Sequence, residues 1–107
     1  MQDYLIFLEK AEQKIRIMDH MTYVTYPLVK DKRMLLTILS GTHEAILNII
    51  KGILSYESYK NNTQIYKDQN ENFRVFIQKI APYYNIKLEE IKMIQEIMNL
   101  ELKHKQS

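Results

Sequence analysis

The chain has 107 residues, of which 46% are hydrophobic and 26% charged, with a formal net charge of +2. This is the size of one domain, spanning residues 1–107, and it carries enough apolar surface to bury a core; the balance excludes a disordered chain, and no apolar run reaches the roughly 18 residues of a membrane span. Cysteine is absent, which excludes disulfides, thiolate metal sites and thiol nucleophiles.

Charge is spread evenly: residues 1–60 hold eight basic and seven acidic side chains and residues 61–107 hold seven and six, so neither half is a basic arm for nucleic acid. The start, Met1-Gln2-Asp3-Tyr4, lacks the cationic opening and small-residue cleavage site of an export signal, which predicts a cytoplasmic protein. Only two glycines and two prolines occur, a scarcity of turn formers that points to long helices with few connections.

Asp3 is positioned to cap a first helix, in which Tyr4, Leu8, Ala11, Ile15, Met18 and Thr22 alternate at spacings of four and three. Glu9, Gln13, Arg16 and His20 follow on the far face, with Glu12 and Arg16 an i,i+4 pair. The helix is predicted over about 4–24. Pro27 then disfavours helical geometry at Tyr26, so the first connection is expected from Tyr26 to Asp31, with Asp31 the next cap.

The second helix carries the strongest periodic signal: Leu35, Leu39, Thr42, Ile46, Ile49, Ile53 and Tyr56. A neighbouring ridge holds Leu36, His43, Leu47, Ile50 and Leu54, and a third holds the small residues Gly41, Ala45 and Gly52, where another backbone can come close. A helix so apolar around its circumference belongs at the centre of a bundle or at a subunit contact. Lys60-Asn61-Asn62-Thr63 ends it, and a loop to about Gln69 is expected to tuck Ile65 and Tyr66 against the other helices.

A short third helix is predicted from an Asn70 cap, burying Phe73, Phe76, Ile77 and Ile80 and stopping at Ala81-Pro82. The fourth helix, about 87–105, shows two apolar stripes: Leu88, Ile91, Ile94, Met98 and Leu102, and on nearly the opposite face Met93, Ile97, Leu100 and His104. A bundle uses one such face, so the second predicts a symmetry mate or a further stretch of chain beyond Ser107. Two long helices, one short and one medium make an all-α, antiparallel four-helix bundle the expected fold.

No grouping amounts to a catalytic signature. Glu101 and His104 form the Glu-x-x-His that holds metal in some bundles, but no second copy exists and Lys103 and Lys105 repel a cation, so no metal or other cofactor is expected. His43-Glu44 lacks the second histidine of a zinc-protease motif because the fifth position is Leu47; His43 reads as a hydrogen-bonded, partly buried side chain. Arg16 and His20, four apart, form a candidate anion or RNA contact, weighed against a plain exposed pair. Lysines lie near several of the eight tyrosines, as at Tyr59-Lys60, Tyr66-Lys67 and Tyr83-Tyr84 with Lys87, an arrangement able to stack on RNA, although Glu57, Asp68 and Glu89 dilute it and tyrosines often plug helix ends.

The runs Leu5-Ile6-Phe7-Leu8-Glu9-Lys10-Ala11 and Met18-Asp19-His20-Met21-Thr22-Tyr23-Val24-Thr25-Tyr26-Pro27-Leu28-Val29-Lys30-Asp31, with Tyr84-Asn85-Ile86 and Ile94-Gln95-Glu96-Ile97, resemble small uncharacterised archaeal proteins of the HEPN-like helical-bundle type. The resemblance implies a bundle of four or five helices, commonly dimeric, of which this chain looks like a shortened member. Catalytic HEPN ribonucleases are recognised by an arginine and a histidine at a short spacing that this chain lacks: Arg16 and His20 have three residues between them, Arg33 and His43 nine, Arg74 and His104 twenty-nine. The resemblance therefore implies a non-catalytic relative.

The resulting expectation is a non-enzymatic helical interaction module, homodimeric through the fourth helix (Met93, Ile97, Leu100, His104), the second (Gly41, Ala45, Gly52) or both, tied to a nucleic-acid or toxin–antitoxin system. The alternative is an RNA-binding or RNA-cleaving domain.

Overall fold

The computed structural model describes residues 3–60 and 66–106, and the side chains of 4–60 and 66–105. The capping expected of Asp3 and the tucking expected of Ile65 fall on side chains outside the described residues. The described residues are all-α, with no strand among them. Helix α1 runs Asp3–His20, passes through a π-helical segment Met21–Thr25 and ends in Tyr26–Val29; α2 is Lys32–Tyr59; α3 joins Gln69–Val75, a π-helical segment Phe76–Ile80 and Ala81–Tyr83; α4 is Leu88–Gln106.

Both prolines lie inside a helix rather than ending one, which corrects the expected exits at Tyr26 and Ala81. A proline in an α-helix collides with the carbonyl four residues back and offers no N–H. Here the residue before each proline bonds five residues back, Tyr26 N–H to the Met21 carbonyl and Ala81 N–H to the Phe76 carbonyl, and this wider turn makes room for the ring. In both places the helix stops near a left-handed residue three positions after the proline, Lys30 at φ 55° and Asn85 at φ 59°. The chain thus uses one local device twice, and the corners between α1 and α2 and between α3 and α4 follow from it.

Asp31 caps α2 as expected, accepting the Arg33 N–H at 2.9 Å. The cap of α3 is Asp68 rather than Asn70: Asp68 has an extended backbone and its carboxylate accepts the Asn70 N–H at 3.0 Å. Asn72 instead holds the entering loop, accepting from Tyr66 N–H at 2.7 Å and donating to the Tyr66 carbonyl at 2.8 Å.

Helix α2 is the hub. Along it Tyr4 meets Tyr56, Leu8 meets Gly52 and Met18 meets Gly41, so α1 runs in the opposite direction. Gly41, Ala45 and Gly52 are buried, and a Cβ on Gly41 or Gly52 would lie 2.1 Å from Met18 Sδ or 2.8 Å from Leu8 Cγ. At Gly41 and Gly52 the small-residue ridge is therefore met by α1 of the same chain. Towards the C-terminal end of α2 the packed centre is Ile50, Leu54, Val75, Phe76 and Ile80, with Phe73 and Ile77 beside it, matching the face expected of α3.

Helix α4 meets α2 by a face lying between its two apolar stripes. Ile94, Ile97 and Met98 are half-buried around the fully buried Glu101, while Leu88, Met93, Leu100 and Leu102 are exposed. The first stripe thus contributes Ile91, Ile94 and Met98 and the second only Ile97, with the carboxylate between them. Ile15 of α1 and Leu35 of α2, both expected inside, are 47% and 46% exposed.

Candidate functional site

Two surfaces stand out. The first is a cleft of about 570 Å³ where α2, the start of α3 and the last turns of α4 converge. Leu47, Phe73, Met98 and Leu102 give it apolar walls. Gln69, Asn70, Gln95 and Asn99 add four carboxamides, and His43, Glu101 and Lys105 bring the ionisable groups.

Glu101 is 3% exposed. Ser40, one turn before His43 on α2, donates its hydroxyl to the carboxylate at 3.0 and 3.1 Å, and Lys105 Nζ lies 3.9 Å away on a largely solvated stem. Burial holds the His43 imidazole below its ordinary pKa, opposed by the negative charge of Glu101 and reinforced by Lys105, so His43 is neutral at pH 7. Ser40, His43 and Glu101 do not form a nucleophilic relay, because the hydroxyl proton goes straight to the carboxylate instead of to an imidazole base.

The second surface is a mainly apolar groove of about 350 Å³ between α1 and α2, lined by Ile15, Met18, Asp19, Thr22 and Tyr23 on one side and Thr42, Ala45, Ile46 and Ile49 on the other. It follows the heptad stripe of α2. Ile46 and Ile53 of that stripe pack against the centre shared with α3 and Tyr56 packs against Tyr4 of α1, whereas Leu35 at its start is 46% exposed.

The other sequence candidates are scattered. Glu101 and His104 do not converge on one point: Glu101 faces Ser40, whereas His104 is exposed in a separate groove with Lys14, Leu36 and Glu44. Among the described residues no three His, Asp or Glu side chains gather as metal ligands. Arg16 pairs with Glu12 at 2.6 Å on an exposed face, and His20 is exposed one turn later. Tyr4, Tyr56, Tyr83 and Tyr84 partner one another or Glu57 at one end of the molecule. Tyr4 and Tyr56 meet edge to face, as do Tyr83 and Tyr84, and Lys60 sits 5.1 Å from the Tyr56 ring. Tyr84 donates its hydroxyl to buried Glu57 at 2.5 Å, and that bond, with desolvation and the charge of Glu57, pushes its pKa up to about 12.

Sequence reasoning missed Ser40 and the inward side of Glu101. They are 61 positions apart and no spacing rule joins them. The signal that existed was weak: Glu101 lies midway between two apolar stripes, the place a buried residue would occupy.

No helix among the described residues is long and apolar enough to cross a membrane. Comparison with known protein families, curated proteins and solved structures finds no match to this chain.

Proposed function

We propose that the chain is a non-enzymatic helical interaction module of the cytoplasm that pairs with a second copy of itself through the open α1–α2 groove. One observation carries the reading: the start of the most regular heptad stripe in the sequence is open to water, with Leu35 46% and Leu36 44% exposed and Ile15 of α1 47% exposed beside the α1–α2 groove. In this reading the four helices act as an antiparallel, HEPN-like bundle whose third member is too short, and the second copy supplies what α3 leaves bare.

The stretch from Leu35 to Ile49, which leads into and lines the groove, is 15 residues, about 21 Å of helix. Four-three spacing is the pattern of a seam filled by another seam of the same kind, so an identical chain is a suitable occupant. The charge suits this as well. Asp19 is the one charged group in the lining, and the net charge of +2 gives little repulsion between copies. The exposed Met93 and Leu100 of α4 supply a second, smaller apolar flank.

Light scattering behind a sizing column tests it. The chain is expected at twice its 12.9 kDa mass, and Ile15→Glu with Leu35→Lys, at positions already half exposed, is expected to return it to 12.9 kDa with unchanged helical circular dichroism. A wild-type chain that stays monomeric at high concentration would refute the proposal.

RNA binding draws narrower support, from the exposed rings of Tyr59 and Tyr83 near Lys60 and Lys87. It predicts RNA affinity that falls steeply with salt. Arg16, its leading sequence candidate, is already held by Glu12.

A further inference from the structure

The cleft around Glu101 is independent of the groove, and its chemistry points to a ligand class. Burying a carboxylate costs several kcal/mol unless charge and hydrogen bonds compensate. Ser40 has a single proton to offer, and Lys105 lies at 3.9 Å, beyond hydrogen-bond length, with its side chain 68% exposed. A carboxylate has about four acceptor positions, so Glu101 keeps capacity for further N–H donors. His43, neutral at pH 7, brings no cation of its own to the site.

We propose that this cleft binds a small organic cation with a flat apolar body, an aryl amidinium or guanidinium, whose paired N–H groups bond Glu101 in place of Lys105. The volume of about 570 Å³ falls within the usual range of small-molecule sites. Two parallel N–H bonds to a carboxylate are the strong form of this pairing, and the Phe73 ring and Met98 thioether in the cleft wall suit a flat, polarisable body. The carboxamides of Gln95 and Asn99 accept what N–H groups remain. Lys105 then acts as a resident placeholder, one turn from Glu101 on the same helix, which a ligand displaces without moving the backbone.

The test titrates the full chain with benzamidine and with its neutral isostere benzamide, following side-chain amide signals of Gln95 and Asn99 by NMR. Benzamidine is expected to shift them and to bind at least about tenfold more tightly than benzamide, a difference of one strong charge-assisted pairing. Glu101→Gln, which keeps an acceptor for Ser40 but removes the charge, is expected to abolish the preference. Lys105→Ala is expected to tighten benzamidine severalfold, since it removes the internal competitor. A purely structural Ser40–Glu101 tie between helices predicts no gain from Lys105→Ala. Benzamidine and benzamide binding alike, no shift of either amide, or unchanged or weaker binding by Lys105→Ala would each overturn the proposal. If Glu101→Gln fails to fold, the isostere contrast and Lys105→Ala still decide it.

Discussion

At Gly52 a methyl group would sit 2.8 Å from both Cγ and Cδ2 of Leu8 and 3.3 Å from the Tyr4 carbonyl oxygen. The Leu8 branch point and a backbone atom cannot both step aside cheaply, so the strain exceeds the helix-propensity gain of about 1 kcal/mol. At Gly41 the nearest atoms belong to the Met18 thioether, an unbranched side chain that re-packs easily. Gly52→Ala is therefore expected to lose about 1–3 kcal/mol and Gly41→Ala to stay within about 1 kcal/mol of the parent, measured as urea midpoints at equal slope. The sequence made both glycines visible as a small ridge on α2 but did not say what filled it. Whether a small stripe admits a helix of its own chain or of another depends on where α1 lies, and that is long-range information.

The helices themselves were legible as elements because apolar residues recur at four and three, and α2 and α4 fall close to the predicted spans. The ends beside the prolines were not. The rule that proline stops a helix holds for i to i−4 bonding, and a single i to i−5 turn evades it at Pro27 and again at Pro82. Helix α4 was legible as doubly apolar, yet its inward direction lies between the two stripes, at Glu101, where the spacing of apolar residues alone does not point.

The two left-handed residues that close these corners also differ in cost. Asparagine tolerates positive φ through local hydrogen bonding, whereas lysine pays the full Cβ clash of about 1–2 kcal/mol. Lys30→Gly is thus expected to stabilise the chain by about 1 kcal/mol, raising the thermal midpoint by roughly 4 °C, while Asn85→Gly changes it by less than half of that. A calorimetric series on the two single variants checks the difference. Equal shifts would mean that the two corners are not equivalent backbone devices.

For the whole molecule, the 28 residues of α2 span about 42 Å, nearly the full 47 Å of the longest axis. The radius of gyration is 14.9 Å, against about 13 Å for a compact domain of this length. The excess has a definite origin: α1 runs along α2 from Gly41 to Tyr56, but the packed centre is drawn to the C-terminal half of α2, where α3 lies, and Ile15, Leu35 and Leu36 are left partly in water. If a second copy covers that half, folding and pairing are linked, because whatever binds the folded form and not the unfolded one stabilises it by mass action. Each tenfold rise in chain concentration then adds about 1.4 kcal/mol per dimer, an upward shift of about 3 °C in the unfolding midpoint. The parent chain is expected to show this slope across a hundredfold dilution series, and Ile15→Glu with Leu35→Lys is expected to flatten it. A midpoint independent of concentration in the parent would mean that the apolar half of α2 is stable in water alone, and that the stripe from Leu35 to Ile49 serves no partner of its own kind.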